Sequence, residues 1–376
     1  GLPQDKRKLT TGKALIRYFC VPCKPTKTNG NRTWNLPKHA PEKWVLFKDY
    51  CKQDVITEYE ILKRLEQYPV PEEEEFLWQM DIRMNAYGVR VDEELINGAL
   101  AIDAISSENL TMEAIDITGL GNPNSTSQLK VWIEKQISGE ISGLTKENVT
   151  ELLSRSDISD EVRRVLEIRQ QLGKTSIKKY VAMKTAEGEG ERVRGLTQFY
   201  GANRTGRWAG RLVQMQNLPR NYLKTLDEAR KLVKAKNYEG VRLIYENVPD
   251  TLSQLIRTAF IPSEGQKFVV ADFSAIEARV IAWLAGEQWV NEVFATHGKI
   301  YEATASQMFH VPIEKIAKGN PEYSLRQKGK VATLALGYQG GSNALIAMGA
   351  LNMGLTEEEL PDIVQRWRSA NPRIRD

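Results

Sequence analysis

Three cysteines among 376 residues are too few for a disulfide framework. That scarcity points to a reducing, cytoplasmic setting. Nothing in the sequence reads as a membrane span. The longest uncharged run, Val331 to Leu355, contains Thr333, Gln339, Ser342, Asn343, Asn352 and five glycines, a poor lipid-facing helix. A secretory leader is not expected, because Gly1 opens onto a polar run rich in Lys and Arg. Internal repeats and low-complexity tracts are also lacking, which excludes solenoids and compositionally driven disorder. The net charge is only +4, so the chain as a whole is not a basic protein.

What is present is ordinary globular composition, with 41% hydrophobic and 27% charged residues. At roughly 150 residues per domain, the length suggests two or three domains with cores that need no staples. The positive charge is concentrated. Residues 1–50 hold 11 Lys/Arg against 3 Asp/Glu, and residues 163–220 hold 13 against 4. Two basic blocks in an otherwise acidic chain suit polyanion contact at defined places, although a solvated surface would look the same.

Along the chain, Pro22, Pro25, Pro37, Pro41 and Asn29-Gly30 make residues 1–50 irregular. Tyr50, Val55, Tyr59, Leu62 and Leu65 recur at near-helical spacing over 47–65, and Pro69 and Pro71 end that element. A second helix is expected over 72–86, opened by four glutamates and closed by Gly88, with a short strand at 89–91. Residues 92–185 read as mostly helical, with breaks at 119–124 and 139–143, and 186–190 as a loop. A strand over 192–200 runs into a Gly/Arg-rich loop, residues 225–248 are helical, and 267–271 form a short buried-type strand before a helix over 274–284. Helices follow Gly286. The expected class is α+β.

Three segments could carry chemistry. In 267–279, an apolar strand delivers Asp272 to its C-terminal end, a place suited to Mg²⁺; Ser274 and Glu277 equally form a capping box that needs no catalysis. Arg326, Lys330, Leu334 and Tyr338 recur every four residues, one helical stripe with cations for phosphates and a ring for stacking. A solvated cationic face is the plainer alternative. Asn203 to Trp208 and Gln214 to Arg220 place amides and guanidinia in one loop, able to donate to minor-groove acceptors and phosphates.

Together, in this order, the three segments resemble the family A DNA polymerases. DFSAIEAR is similar to the family's motif A, RQKGKVATLALGYQG to its motif B, and TGRWAGRLVQMQNLP to its TGRLSS…NLQNIP stretch, with ten positions kept between Arg207 and Asn217. The resemblance covers roughly residues 45–376. It implies a right-hand polymerase (thumb, partial palm, fingers) with the C-terminal remnant of a 3′–5′ exonuclease-like domain. The implied segments are 1–68 exonuclease-like, 69–92 start of the palm, 93–190 thumb, 191–285 palm and 286–376 incomplete fingers. The implied activity is template-directed transfer of a nucleotide from a dNTP to a primer 3′-hydroxyl by two Mg²⁺ ions, in a bacterial or phage-infected cell.

By that resemblance Asp272 binds both metals and the Phe273 carbonyl supports one. Glu277 crowds a ribose 2′-hydroxyl, Arg326 and Lys330 grip the triphosphate, with Lys330 as general acid, and Tyr338 stacks at the templating position. Arg207, Gln216 and Asn217 meet the primer terminus. Lys174, Thr175, Lys178 and Lys179 are implied phosphate contacts, and Tyr50 with Asp54 matches the third exonuclease motif. Several positions depart from the family pattern: Leu334 replaces an aromatic residue, Gln339 a glycine, Ala275 and Ala278 a Gln and a Leu, and Tyr301 a His. These departures suggest a phage or prophage branch.

No His-Asp-Glu motif C follows Tyr338, and the first two exonuclease carboxylate motifs are missing. The isolated chain is therefore expected to be catalytically incomplete. The alternative function is the DNA-binding half of a split polymerase, completed by a C-terminal fragment. A relative of single-subunit RNA polymerases shares the plan, but Glu277 and the exonuclease-like helix argue against it. Cys20, Cys23, His39 and Cys51 could form a zinc site, yet the 15- and 11-residue gaps are loose, and paired thiols in a basic loop are preferred.

Overall fold

The computed structural model describes residues 3–376; residues 1 and 2, where the sequence reading places the start of the basic run, lie outside the described residues. The chain divides into two compact units, one ending at Lys267 and one beginning at Phe268. Among the described residues no helix is long and apolar enough to cross a membrane.

The first unit opens with α1 (Gly12–Cys20) and α2 (Pro41–Leu65). The basic stretch is thus less irregular than its prolines suggest. Pro41 stands at the first position of α2, where a missing N–H costs nothing, so the helix starts there and not at 47. Val55, Tyr59, Leu62 and Leu65 on α2 are exposed. α3 (Glu72–Tyr87) matches expectation, with four glutamates in its first turn and Gly88 at φ 69 ending it.

β1 (Val89–Arg90) leads into α4 (Glu93–Thr118), whose N-cap Asp92 accepts from Leu95 N–H at 3.1 Å. α5 (Thr126–Ile137), α6 (Lys146–Ser154), α7 (Asp160–Leu172) and α8 (Lys178–Ala186) follow. Leu129, Ile133, Val149, Leu152, Val162 and Leu166 of α5–α7 form their own core. Residues 187–188, expected as loop, pair as β2 with β3 (Arg192–Val193), which also pairs with β1, giving the antiparallel order β1-β3-β2. A separate hairpin joins β4 (Thr197–Ala202) to β5 (Arg207–Gly210).

α9 (Leu226–Lys234), α10 (Tyr238–Tyr245) and α11 (Val248–Leu255) complete the unit. The expected continuous helix over 225–248 is broken because Asn237 caps α10, accepting from Gly240 N–H at 2.8 Å. The main core gathers Leu95, Ile96 and Ile102 of α4, Tyr180 of α8, Val193 of β3, Val233 of α9 and Leu252 of α11. Buried Asp92 fastens α4 to α9 through Arg230 at 2.6 Å and Lys234 at 2.7 Å.

The second unit is helical: α12 (Ile276–Ala285), α13 (Gln288–Thr296), α14 (Ile300–Phe309), α15 (Leu325–Leu336), α16 (Ser342–Ala347), α17 (Leu360–Ala370) and α18 (Pro372–Arg375). Met308, Val331, Leu336, Leu345, Ile363 and Trp367 make its core. Gly329 lets α15 lie directly on α14, since a Cβ there would meet the Tyr301 carbonyl oxygen at 2.2 Å and the Ala305 nitrogen at 2.9 Å.

Two expectations fail at the head of this unit. Residues 267–271 form no strand, and Val269 and Val270 are 83% and 92% exposed. A strand needs a neighbour for its ladder hydrogen bonds, and among the described residues none pairs with this segment. The Ser274–Glu277 capping box does not form either. Ala275, at φ 50, occupies the N-cap position of α12 with no side-chain cap. The Arg279 guanidinium instead donates to the Ser274 carbonyl at 2.8 Å and lies over the Phe294 ring at 4.2 Å.

Candidate nucleic-acid interface and nucleotide site

In the first unit, the β4–β5 hairpin turns through Asn203 to Gly206, where Thr205 and Gly206 N–H both bond the Ala202 carbonyl. Gly206 takes φ 68, a left-handed conformation that suits glycine. Arg207 is exposed at the start of β5, opposite Ala202. The hairpin is held from below by Asp81 of α3, a buried carboxylate. It accepts from Thr197 Oγ1 at 2.6 Å, Phe199 N–H at 3.1 Å and Trp208 Nε1 at 2.9 Å. The Trp208 and Phe199 rings meet edge to face, 5.5 Å apart. Sequence reasoning missed Asp81; the available signal was a lone carboxylate between Met80 and Ile82 of an amphipathic helix.

Next along the chain, Gln216 and Asn217 are exposed, and Asn217 Nδ2 donates to Gln214 Oε1 at 3.3 Å. Buried Gln254 of α11 accepts from Tyr222 and Leu223 N–H at 2.6 and 3.0 Å, and Arg257 donates to the Leu218 carbonyl at 3.0 Å, so the loop is shaped from beneath. A 510 Å³ cleft brings Thr175, Lys178 and Lys179 together with Gln214 and Asn217. Two basic-block segments that are distant in sequence therefore share one surface.

The four expected phosphate contacts of this region do different jobs. Lys179 bonds the Val213 carbonyl, and burial lowers its pKa; it fastens α8 to the loop. Lys174 is paired with Asp250. Thr175 and Lys178 are exposed, and Lys178 has no ion pair among the described residues. Upstream, Tyr50 and Asp54 do come together on α2. The neighbouring Asp54 carboxylate, with partial burial, raises the Tyr50 pKa. Asp54 Oδ1 is buried without a hydrogen-bond partner, the Lys8 ammonium standing 3.6 Å away.

In the second unit, α15 carries Arg326, Lys330 and Leu334 on one stripe, as expected. Tyr338 lies just past the helix, in the turn after Gly337, and is exposed. Arg326 is already engaged. Its Nε donates to Glu302 Oε1 of α14 at 2.7 Å, raising the guanidinium pKa further, and it lies 5.3 Å from the Tyr301 ring. Lys330, one turn on, is half-buried with no ion pair among the described residues. Gln339 takes φ 64, the left-handed backbone for which a glycine is the easy choice.

Asp272 and Phe273 are exposed before α12, and Glu277 lies in its first turn. α12 packs on α13 and α18, whereas α15 packs on α14, α16 and α17. Asp272 and the Phe273 carbonyl are hard oxygen donors of the kind Mg²⁺ takes. Among the described residues, however, no group of three His, Cys, Asp or Glu side chains is placed to hold a metal ion. These donors do not by themselves make a two-metal centre. Of the possible zinc ligands, His39 Nδ1 accepts from Leu36 N–H at 2.9 Å and Cys23 Sγ lies 3.4 Å from the Arg32 carbonyl, while Cys20 and Cys51 are exposed.

The chain is helical with small sheets, and it carries a basic hairpin-and-loop surface and an Arg/Lys helix with Tyr338 just beyond its end. The family model described as DNA polymerase family A matches residues 103–376, and the chain belongs to that family. It is 59% identical over its whole length to the DNA polymerase of Bacillus phage SP02, spanning 57% of that protein. It is 31% identical over 132 residues to the thermostable DNA polymerase I of Thermus aquaticus, which covers 35% of this chain and 15% of that one. In fold it resembles the POL domain of Pol1 from M. smegmatis, solved in complex with DNA primer-template and dNTP. The TM-score is 0.55 and the identity 17%, over 98% of this chain and 57% of that one.

Proposed function

We propose that this chain supplies the primer–template and nucleotide surfaces for template-directed DNA synthesis in DNA replication. In that reaction a primer 3′-oxygen attacks the α-phosphorus of a dNTP and pyrophosphate leaves. The single observation that carries the proposal is the cleft uniting Thr175 and Lys178 with Gln214 and Asn217, beside a hairpin that presents Arg207. Backbone-directed cations and groove-directed amides on one surface suit the end of a primer duplex.

In this reading residues 93–190 are the thumb, 69–92 and 191–285 palm, and 286–376 fingers, with 1–68 the exonuclease-like remnant. Lys174, Lys179 and Asp81 position the DNA surface, and Gln216 extends it. Arg326 and Lys330 bind the triphosphate and Lys330 protonates the leaving pyrophosphate. Leu334 lines the sugar, Tyr338 stacks on the base, and Glu277 excludes a 2′-hydroxyl. Asp272 and the Phe273 carbonyl would contribute part of a Mg²⁺ site. Tyr50 and Asp54 would contribute part of an exonuclease site.

A second reading, the DNA-binding half of a split polymerase, is favoured by the exposed apolar segment at Val269 and Val270. A further polypeptide segment would pair with it. The DNA surface is tested by fluorescence anisotropy with labelled primer–template over a salt series. Lys178→Ala should weaken binding and lower the salt slope by about 0.9, and Arg207→Ala should weaken binding most for a correctly paired terminus. Unchanged affinity in both variants would refute the assignment.

A further inference from the structure

The uncharged run Val331 to Leu355 continues past the stripe on α15, and its last part takes no role in the surfaces above. There α16 and the short 3₁₀ turn Leu351–Met353 have two sides. Leu345, Ala350 and Leu355 belong to the core of the second unit. Ile346, Met348, Leu351 and Met353 face outward and are 37–44% exposed, four large apolar side chains within eight residues.

The backbone holds this surface in place. Ala350 N–H bonds the Leu345 carbonyl at 3.0 Å, Met353 N–H the Gly349 carbonyl at 3.1 Å, and Leu355 N–H the Ala350 carbonyl at 3.1 Å. Gln327 of α15 contacts the Met353 sulfur. Acid follows directly in sequence, as Glu357, Glu358 and Glu359. Glu359 is engaged internally: its carboxylate accepts from Thr356 N–H at 2.9 Å and pairs with Lys328, the neighbour of Gln327, at 2.6 Å. Glu357 and Glu358 are exposed and have no ion pair among the described residues.

We propose that Ile346, Met348, Leu351 and Met353, with Glu357 and Glu358, dock an amphipathic helix of a partner protein, one whose apolar stripe is bordered by Lys or Arg. An ordered apolar patch with a polar rim marks association, and methionine side chains adapt to the ridge of a helix. The second unit has no strand among the described residues, so it offers no open sheet edge to an extended peptide. The four side chains include no aromatic ring, the feature with which grooves hold proline-rich segments. Two free carboxylates repel a nucleic acid or an anionic membrane, and a second copy of this chain would bring two acidic rims together. A helix with a cationic border matches both the apolar surface and its charge.

The test uses the full chain and three labelled peptides of roughly 18 residues, about five helical turns. One has a leucine stripe and lysines elsewhere, one has glutamates in place of the lysines, and one scrambles the first. Fluorescence anisotropy should show the lysine helix binding roughly tenfold or more tighter than either control. The variant M348Q/L351Q should lower that affinity about tenfold, and E357Q/E358Q about fivefold with a weaker dependence on salt. Both variants should keep the parent's melting temperature and its affinity for primer–template DNA, so failure here is distinct from failure of the proposed DNA surface. Equal binding of the three peptides, or lysine-helix affinity unchanged in either variant, would overturn the proposal. So would sedimentation showing a dimeric parent and a monomeric M348Q/L351Q variant, because the occupant is then a second copy.

Discussion

The indole Nε1 of Trp208 donates to Asp81 Oδ1 at 2.9 Å, joining residues 127 positions apart. Through this bond, and those from Thr197 and Phe199, one buried carboxylate sets the attitude of the hairpin that presents Arg207. A carboxylate satisfied by three donors is well placed in a low-dielectric site; removing it strands all three.

Asp81→Ala should therefore cost about 3 kcal/mol of stability, since hydrogen bonds to charged groups contribute roughly 1.5–3 kcal/mol each and are not additive. Trp208→Phe, which removes one donor and keeps the ring, should cost about 1 kcal/mol. Urea unfolding of the two single variants and the double variant checks this. A double variant no worse than Asp81→Ala confirms that they act through one network.

Arg326 is paired with Glu302, so under the proposed role a triphosphate would compete with that carboxylate. Glu302→Gln should tighten dNTP binding severalfold, and Arg326→Ala should weaken it. Because the ion pair raises the guanidinium pKa, Arg326 keeps its charge throughout the working pH range. Isothermal titration with a dNTP reads both effects. Weaker binding in Glu302→Gln would mean that the carboxylate orients Arg326 more than it competes for it.

Gln339→Gly replaces a left-handed residue, relieving roughly 1–2 kcal/mol of backbone strain. It also loses the side-chain bond from Gln339 Nε2 to the Arg375 carbonyl, worth about 1 kcal/mol, and loosens the unfolded chain. The terms nearly cancel, so stability should change by less than about 1 kcal/mol. Gln339→Val, β-branched at the same φ, should destabilise clearly. Thermal melting of the pair separates strain from hydrogen bonding.

Glu113 and Arg164 pair across α4 and α7, and the Arg164 guanidinium holds the carboxyl below its ordinary value near 4.5. A carboxyl depressed on folding stabilises at pH above its unfolded value, and that contribution fades as pH falls toward the folded one. Glu113→Gln should thus flatten the acid limb of the stability profile below about pH 4.5 while leaving its shape at neutral pH unchanged. Both groups are partly exposed, so the effect is small and should shrink in high salt.

Much of this was legible in the residues. The stripe Arg326–Lys330–Leu334 follows from helical period alone, and Gly88 and the glutamates of α3 mark that helix at both ends. Local patterns could not show that the apolar run 267–271 lacks a pairing strand, because a strand is completed by a neighbour. Nor could S-x-x-E reveal that Ala275 would take the left-handed position and leave Arg279 to hold the turn. The role of Asp81 depends on contacts more than a hundred positions apart, which no local pattern reports. The cleft joining residues 175–179 to 214–217 is likewise a product of folding.

The most direct test of the central claim is single-nucleotide primer extension. It is run by this chain alone, and by this chain mixed with a separate polypeptide matching the part of the phage SP02 relative that it does not span. Each is assayed in the parent form and as the Asp272→Ala variant. We predict no extension by the chain alone, extension by the mixture that retains Asp272, and none by the mixture carrying the substitution. Extension by the isolated chain, or full activity of the substituted mixture, would contradict the account.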